Sequence, residues 1–384
     1  MDFAWTDEQQ ALRANITRFA RQELNANMIE RDQREEFAWD AWKRCAQMGI
    51  QALPLPQEHG GSGSDALTIV AALEALGYGC TDNGLLFSIN AHMWASEIPI
   101  LTFGTEAQKQ HYLARLGAGE WVGAHAMTEP DSGSDAYSLR TRAERRGDRW
   151  RLNGRKMFIT NAPIANVVIV FATVDPALGA DGVTAFLVDP STSGFSVSRT
   201  IQKMGLRTSP MGEVVLEDCE VPAESVLGKI GGGPAVFTAS MEWERTCILA
   251  SQLGAMQRLL EQATKYARER RQFGRAIGEF SGIASKLAEM EVRLESARLL
   301  IYKAAWQKAR GKRALREASI AKLFVAEASV ASCLEAIQIH GGYGYMTEFQ
   351  IERELRDAVA GRLYSGTSEI QKLIIAGMRG VQED

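Results

Sequence analysis

Gly231-Gly232-Gly233-Pro234 is the clearest break in the chain. Glycine and proline are the strongest local punctuators of structure, and here four fall together. Pro234 is also the last of ten prolines in 384 residues, so the final 150 residues contain none. An interior proline costs a helix about 3 kcal/mol, so this absence is what a bundle of long helices requires. Within that stretch Leu287, Met290, Leu294, Ala297 and Ile301 step by alternating three and four, the seam of a helix packed lengthwise on its neighbours.

Upstream of the break the pattern changes. Val167–Ala172 and Val183–Val188 are short apolar runs bounded by turn residues, Phe195-Ser196-Val197-Ser198 alternates, Trp150, Leu152 and Gly154 precede a further apolar run, and Val214–Leu216 closes the series. These are strands, and their order predicts a small antiparallel barrel or sandwich beginning near Trp121. Before it the chain is helical. Thr6-Asp7-Glu8-Gln9 has the form of a capping box, with Leu12, Ile16, Phe19 and Ala20 following at helical spacing. Further helices are expected around Trp39–Met48, Ala66–Leu76 and Glu106–Leu116, with a loop through Pro54, Pro56 and Gly60–Ser64. The order is helices, strands, helices, an α+β chain that is mostly α.

Composition narrows the function. A hydrophobic content of 46% and charged content of 23% are those of an ordinary globular chain with room for two or three units. A net charge of −4 with scattered basic residues argues against a nucleic-acid or strongly anionic membrane partner. The N-terminal stretch lacks a signal-peptide pattern, and no apolar run has the length of a membrane span. Cys45, Cys80, Cys219, Cys247 and Cys333 are odd in number and far apart, which fits reduced thiols in the cytoplasm and argues against a disulfide framework or a zinc site. No metal site is expected.

No Walker loop, Rossmann glycine fingerprint, metalloprotease HExxH or serine-hydrolase elbow is present. Three segments are instead polar and glycine-rich: Met127-Thr128-Glu129-Pro130-Asp131-Ser132-Gly133-Ser134-Asp135, Gln338-Ile339-His340-Gly341-Gly342-Tyr343-Gly344, and Tyr364-Ser365-Gly366-Thr367-Ser368-Glu369. The first offers hydroxyls and amides for a flat heteroaromatic ring or a phosphate, although its composition alone favours a surface turn. The second serves as readily as a helix C-cap, and the third as a loop with an N-cap for a last helix.

Taken in order, these segments resemble the acyl-CoA dehydrogenases. Asn153-Gly154-Arg155-Lys156-Met157-Phe158-Ile159-Thr160-Asn161 is similar to the family's second flavin strand, Lys203 to Arg207 and Glu217 to Pro222 to its later strands, and Arg270, Gln272, Phe273 and Gly274 to its Arg-x-x-Phe-Gly element. The resemblance spans essentially the whole chain. It implies an N-terminal helical domain (1–119), a middle β-barrel domain (120–229) and a C-terminal four-helix bundle (230–384), assembled as a homotetramer and binding FAD. It further implies that Met127, Thr128 and Ser134 line the flavin and the thioester entrance, and that Phe158 and Thr160 cover the ring face. Arg270, Phe273, Gln338 and Gly342 would hold FAD across a subunit interface, and Thr367 and Glu369 its pyrophosphate or adenosine end. A guanidinium suits a pyrophosphate because bidentate charge-assisted bonds match its geometry.

The implied reaction, removal of a β-hydride and an α-proton from an acyl thioester, needs a carboxylate beside the α-carbon. Most of the family keeps it in a Tyr-Glu-Gly-Thr turn. Here that position is Ser365, which cannot replace a base. A minority carry it on a helix of the bundle, and Glu244 in Met241-Glu242-Trp243-Glu244-Arg245 aligns with that glutamate. Glu242, two residues away, falls on another helix face, and Arg245 is read as a structural anchor.

Ser88 to His92, Thr160 to Ala165, Ser240 to Arg245 and Tyr364 to Thr367 resemble the prolyl-carrier-protein dehydrogenases of pyrrole-forming pathways. The expected substrate is therefore a prolyl or other acyl group held on phosphopantetheine of a carrier protein. A short- or branched-chain acyl-CoA dehydrogenase and a malonyl-type carrier-protein dehydrogenase are the alternatives within enzymes, and a non-catalytic flavoprotein or scaffold is the alternative outside them. The electron acceptor is expected to be an electron-transfer flavoprotein or oxygen.

Overall fold

Seven helices open the chain in the computed structural model, which describes residues 5–381. They are α1 (Asp7–Glu23), α2 (Met28–Arg34), α3 (Trp39–Gln47), α4 (Ala66–Gly79), α5 (Asn83–His92), α6 (Ile98–Phe103) and α7 (Glu106–Gly117). The expected capping box starts α1: Thr6 Oγ1 accepts from Gln9 N and Gln9 Oε1 from Thr6 N, both at 3.2 Å. Helices α5 and α6 are joined through a π-helical turn at Met93–Glu97. Such turns widen a helix locally and recur at functional sites.

Eight strands follow: β1 (Gly123–Ala126), β2 (Arg142–Arg146), β3 (Arg149–Thr160), β4 (Val167–Thr173), β5 (Val183–Val188), β6 (Phe195–Thr200), β7 (Met211–Pro222) and β8 (Val226–Leu227). They form one sheet in the order β6-β7-β3-β2-β4-β5-β8, with β1 also paired to β4. The expectation of a purely antiparallel sheet needs correction, because β1 and β2 both pair parallel to β4. That is possible because both faces of the central strands are covered. Val168, Val170, Phe186 and Val188 face one apolar cluster with Leu152, Val214 and Leu216. Val167, Ile169, Phe171, Ala185 and Leu187 face another with Leu113, Leu116 and Val236 from the helices. Every residue of β4 and β5 is buried as a result.

The bundle comprises α8 (Gly233–Cys247), α9 (Ala250–Glu269), a short hairpin of β9 (Arg271–Gln272) and β10 (Arg275–Ala276), α10 (Ser281–Ala309) and α11 (Leu315–His340). It ends with α12 (Gly342–Tyr345), α13 (Ile351–Ala360) and α14 (Ser368–Gly377). Pro234 sits in the first turn of α8, where its missing N–H costs nothing. The seam on α10 is where the spacing puts it: Met290, Leu294, Ala297 and Ile301 are buried in the same core as residues of α4 and α9. All five cysteines are buried and unpaired. Among the described residues no helix is long and apolar enough to cross a membrane, and no cluster of His, Cys, Asp and Glu could hold a metal ion.

Candidate active site

Glu244 lies in the fourth turn of α8, one turn beyond Ser240. The Ser240 hydroxyl donates to the Trp94 carbonyl in the π turn at 3.0 Å, and the indole of Trp243 stacks on that of Trp94 at 5.7 Å with the planes 5° apart. These contacts clamp α8 to the N-terminal helices and set the direction of the next side chain. Glu244 is buried, and its Oε1 accepts a hydrogen bond from the hydroxyl of Ser365, 121 positions further along the chain. The two positions at which the resemblance allows a base therefore face each other.

The turn carrying Ser365 is held from several sides. Arg245 Nε donates to the Ser365 carbonyl at 2.9 Å, Gln371 Nε2 to the same carbonyl at 3.2 Å and to that of Gly366 at 2.9 Å, and Lys322 Nζ to the Gly366 carbonyl at 2.7 Å. Arg245 thus anchors structure, as expected. Burial pushes the Glu244 carboxyl above the usual range, opposed by the Ser365 hydroxyl and the charges of Arg245 and Lys322. Burial likewise lowers Lys322 to about 8, with Arg245 adding to the shift. Glu242 is different. Its Oε1 takes Lys308 Nζ at 3.1 Å and the Ala314 amide at 3.2 Å, so it ties α8 to the start of α11 on another face.

Met127 is buried just after β1, and Thr128 follows it half-buried. The Thr128 carbonyl accepts Met157 N at 2.8 Å, which draws this segment against the bulged part of β3. Lys156 secures the join from within: its buried ammonium donates to the Met127 carbonyl at 3.0 Å and to Glu129 Oε1 at 2.7 Å. At the bulge Phe158 adopts φ +61° and stands 58% exposed, with Thr160 two residues on. Ser134 is exposed on the loop after β1.

Arg270 caps α9, and Phe273, at φ +51° and 93% exposed, tips the hairpin that follows. The Arg270 guanidinium lies over the ring of Tyr343, 5.6 Å from its centroid; Gln338 is in the last turn of α11 and Gly342 opens α12. Thr367 is the N-cap of α14, accepting from Ile370 N at 3.3 Å, and Glu369 is exposed in the first turn. Gly341 ends α11 at φ +61°. The capping readings of these two segments therefore hold alongside any role in binding.

Two bulky aromatic residues in the left-handed region are unusual, and such strain gathers at binding sites. Phe158 and Phe273 are both among the residues the sequence singles out. The sequence reading missed Lys322, which joins the site only through tertiary packing and carries no local signal. It also missed Phe87 on α5, whose ring meets that of Tyr364 at 4.7 Å.

A helix–sheet–bundle chain with a helix-borne carboxylate turned toward a strained serine–glycine turn is the arrangement that the resemblance to acyl thioester oxidoreductases implies. The acyl-CoA dehydrogenase N-terminal, middle and C-terminal domain families match residues 6–120, 124–219 and 231–378. An L-prolyl-[peptidyl-carrier protein] dehydrogenase of Pseudomonas fluorescens is 41% identical over 98% of this chain and 99% of its own length. A short-chain specific acyl-CoA dehydrogenase of Clostridium acetobutylicum is 39% identical over the same shares. The crystal structure of the prolyl acyl carrier protein oxidase AnaB superposes with a TM-score of 0.97 at 51% identity, covering 98% of this chain and 100% of that one. The chain belongs to the acyl-CoA dehydrogenase family.

FAD is the cofactor of this family, and the residues present suit it. A Cβ added at Gly133, Gly274, Gly341 or Gly342 would meet nothing within 4 Å, so the backbone is open to close approach at each. The exposed face of Phe158 beside Met127 and Thr128 suits a flat ring system, and the exposed guanidinium of Arg270 suits a diphosphate.

Proposed function

We propose that the chain is an FAD-dependent dehydrogenase that oxidises a prolyl group held as a thioester on the phosphopantetheine of a carrier protein. Its working units are residues 1–119, 120–229 and 230–384, and it acts as a homotetramer in the cytoplasm. Met127, Thr128, Ser134, Phe158 and Thr160 would hold the flavin ring, and Arg270, Phe273, Gln338, Gly342, Thr367 and Glu369 the remainder of the cofactor across a subunit boundary. Bound FAD supplies a hydride acceptor for the β-carbon. The chain itself supplies the base: Glu244 takes the α-proton on a carboxylate oxygen. Burial of this carboxyl favours its protonated form, so transfer of the proton inward is eased. Arg245 and Lys322 stay outside the proton transfer and hold the turn that faces it.

One observation carries this reading: the Glu244 carboxylate meets Ser365 at the position where most of the family holds its own glutamate. The prolyl substrate is supported by AnaB at 51% identity. A short-chain acyl-CoA is kept as the second reading because the Clostridium relative stands within 2% identity of the Pseudomonas one, 39% against 41%. Mass spectrometry of a prolyl-loaded carrier protein after incubation with the enzyme separates them. Loss of two hydrogens, or four at the pyrrole level, supports the proposal. An unchanged prolyl mass with bleaching of the flavin by butyryl-CoA would replace it with the second reading. Electrons are expected to pass on to an electron-transfer flavoprotein or to oxygen, which stopped-flow reoxidation with each acceptor distinguishes.

A further inference from the structure

Ser365 does more than vacate a position. Its backbone has φ +56°, in the left-handed region that a serine adopts only at a cost. The turn is nonetheless pinned there by Arg245 and Gln371 on its carbonyl and by Lys322 on the next one. Gly366 follows at φ +90°, where an added Cβ would lie 2.8 Å from Gln371 Nε2 and 3.3 Å from the Arg245 guanidinium, so the turn has no room to relax. All of this restraint has one visible product, the hydroxyl of Ser365 aimed at Glu244 Oε1.

We propose that Ser365 is a positioning residue: its hydroxyl, donated from this pinned turn, holds the Glu244 carboxylate in one orientation and favours its ionised form. The proposal rests on the reading of Glu244 as the base. A donor to a carboxylate stabilises the anion, so a serine here offsets the burial that would otherwise keep the base protonated. The other charged or titratable groups near the carboxylate are Arg245 on α8, Lys322 on α11 and Tyr364 beside Ser365. Glu327 and Glu369 bear on Lys322, and Tyr137 on Arg245. None of these hydrogen-bonds the carboxylate, and none is altered by truncating Ser365.

Ser365→Ala removes the hydroxyl and keeps the left-handed strain, while Ser365→Gly removes both. In the holoenzyme, each is expected to move the acid limb of flavin reduction by prolyl-loaded carrier protein upward by about one pH unit, the scale of a hydrogen bond to a charged group. The alkaline plateau should fall less than about tenfold. The carboxyl stretch in infrared difference spectra, assigned by its loss in Glu244→Gln, should titrate with the same upward shift and needs no substrate. Ser365→Gly suits the backbone and should fold even if Ser365→Ala does not. An infrared midpoint equal to wild type in either variant overturns the proposal, as does a lowered plateau with an unmoved acid limb. Failure of the underlying reading looks different: Glu244→Gln would then bleach at the wild-type rate whatever happens at Ser365.

Discussion

Replacing Glu129 by Gln should damage this protein far more than removing Glu129 and Lys156 together. Lys156 is wholly buried, and its ammonium has two acceptors, the Met127 carbonyl at 3.0 Å and Glu129 Oε1 at 2.7 Å. Burial lowers its pKa to about 8, with Glu129 resisting the fall. The Glu129 carboxylate also accepts the amides of Arg140 at 2.6 Å and Thr141 at 3.0 Å, so the pair fastens the loop that carries Thr128 and Ser134 to β3. Breaking a buried pair from one side costs about 3–5 kcal/mol. The ceiling is set by escape: a lysine of ordinary pKa can lose its proton at pH 7 for about 5 kcal/mol. Glu129→Gln should therefore lose about 3–5 kcal/mol at pH 7. Its deficit relative to wild type should shrink as the pH rises toward 8, where the variant's folded lysine is already neutral and the wild-type one still charged, and should level off above pH 8, where both folded lysines are neutral. The double variant Glu129→Gln/Lys156→Met should recover more than half. Urea unfolding followed at a common slope measures all three, and FAD affinity should fall in parallel with the loosened loop. A Glu129→Gln loss below about 1 kcal/mol, or a double variant no better than the single, would refute the reasoning.

Acid precipitation should release FAD into the supernatant, since the residues proposed to bind it would hold it by contacts rather than a covalent link; flavin in the pellet would contradict this. Glu242→Ala should leave the rate of flavin reduction within about tenfold while lowering the thermal midpoint, because it removes the acceptor for Lys308 and the Ala314 amide; a loss of reduction comparable to Glu244→Gln would reassign the base. Burial lowers His125 from 6.5 to about 4, so it is neutral when folded and charged when unfolded across that window. Its contribution is present above pH 6.5 and is lost as the pH falls toward 4, on the order of 3 kcal/mol in all. His125→Asn should flatten the stability profile between those limits, and an unchanged slope would contradict the assignment.

Long amphipathic or uniformly apolar elements were legible because one physical term dominates each. The seam from Leu287 to Ile301 needs only helical periodicity, and Val183–Val188 needs only apolar continuity between turns. Helix α5 was invisible for the opposite reason. Most of its residues from Asn83 to His92 are buried, so it has no polar face to set a period. Strand β1, Gly-Ala-His-Ala, has no strand signature at all; it exists because β4 offers it a parallel edge. Strand β2 buries only Ala143 among arginines and glutamate, and pairing with β3 makes it a strand.

The site divides in the same way. Its glycines, aromatic residues and arginine could be located through family resemblance, because those motifs are local. The relation of Glu244 to Ser365 could be argued only through the family resemblance, since they are 121 positions apart and nothing between them marks the contact. Lys322 and Gln371, which hold the turn, belong to helices α11 and α14 and meet it only in the folded chain. The strain at Phe158, Phe273 and Ser365 is a property of the backbone that no side-chain pattern records.

The measurement that bears most directly on this account is stopped-flow bleaching of enzyme-bound flavin by prolyl-loaded carrier protein, in wild type and in Glu244→Gln. Glutamine keeps the shape and can still accept from the Ser365 hydroxyl, so folding and flavin absorbance should stay close to wild type. With the proton acceptor gone, bleaching should slow by about 10² to 10⁴-fold, the contribution of a positioned general base. Bleaching at the wild-type rate in a Glu244→Gln enzyme would remove Glu244 from the chemistry and contradict the account.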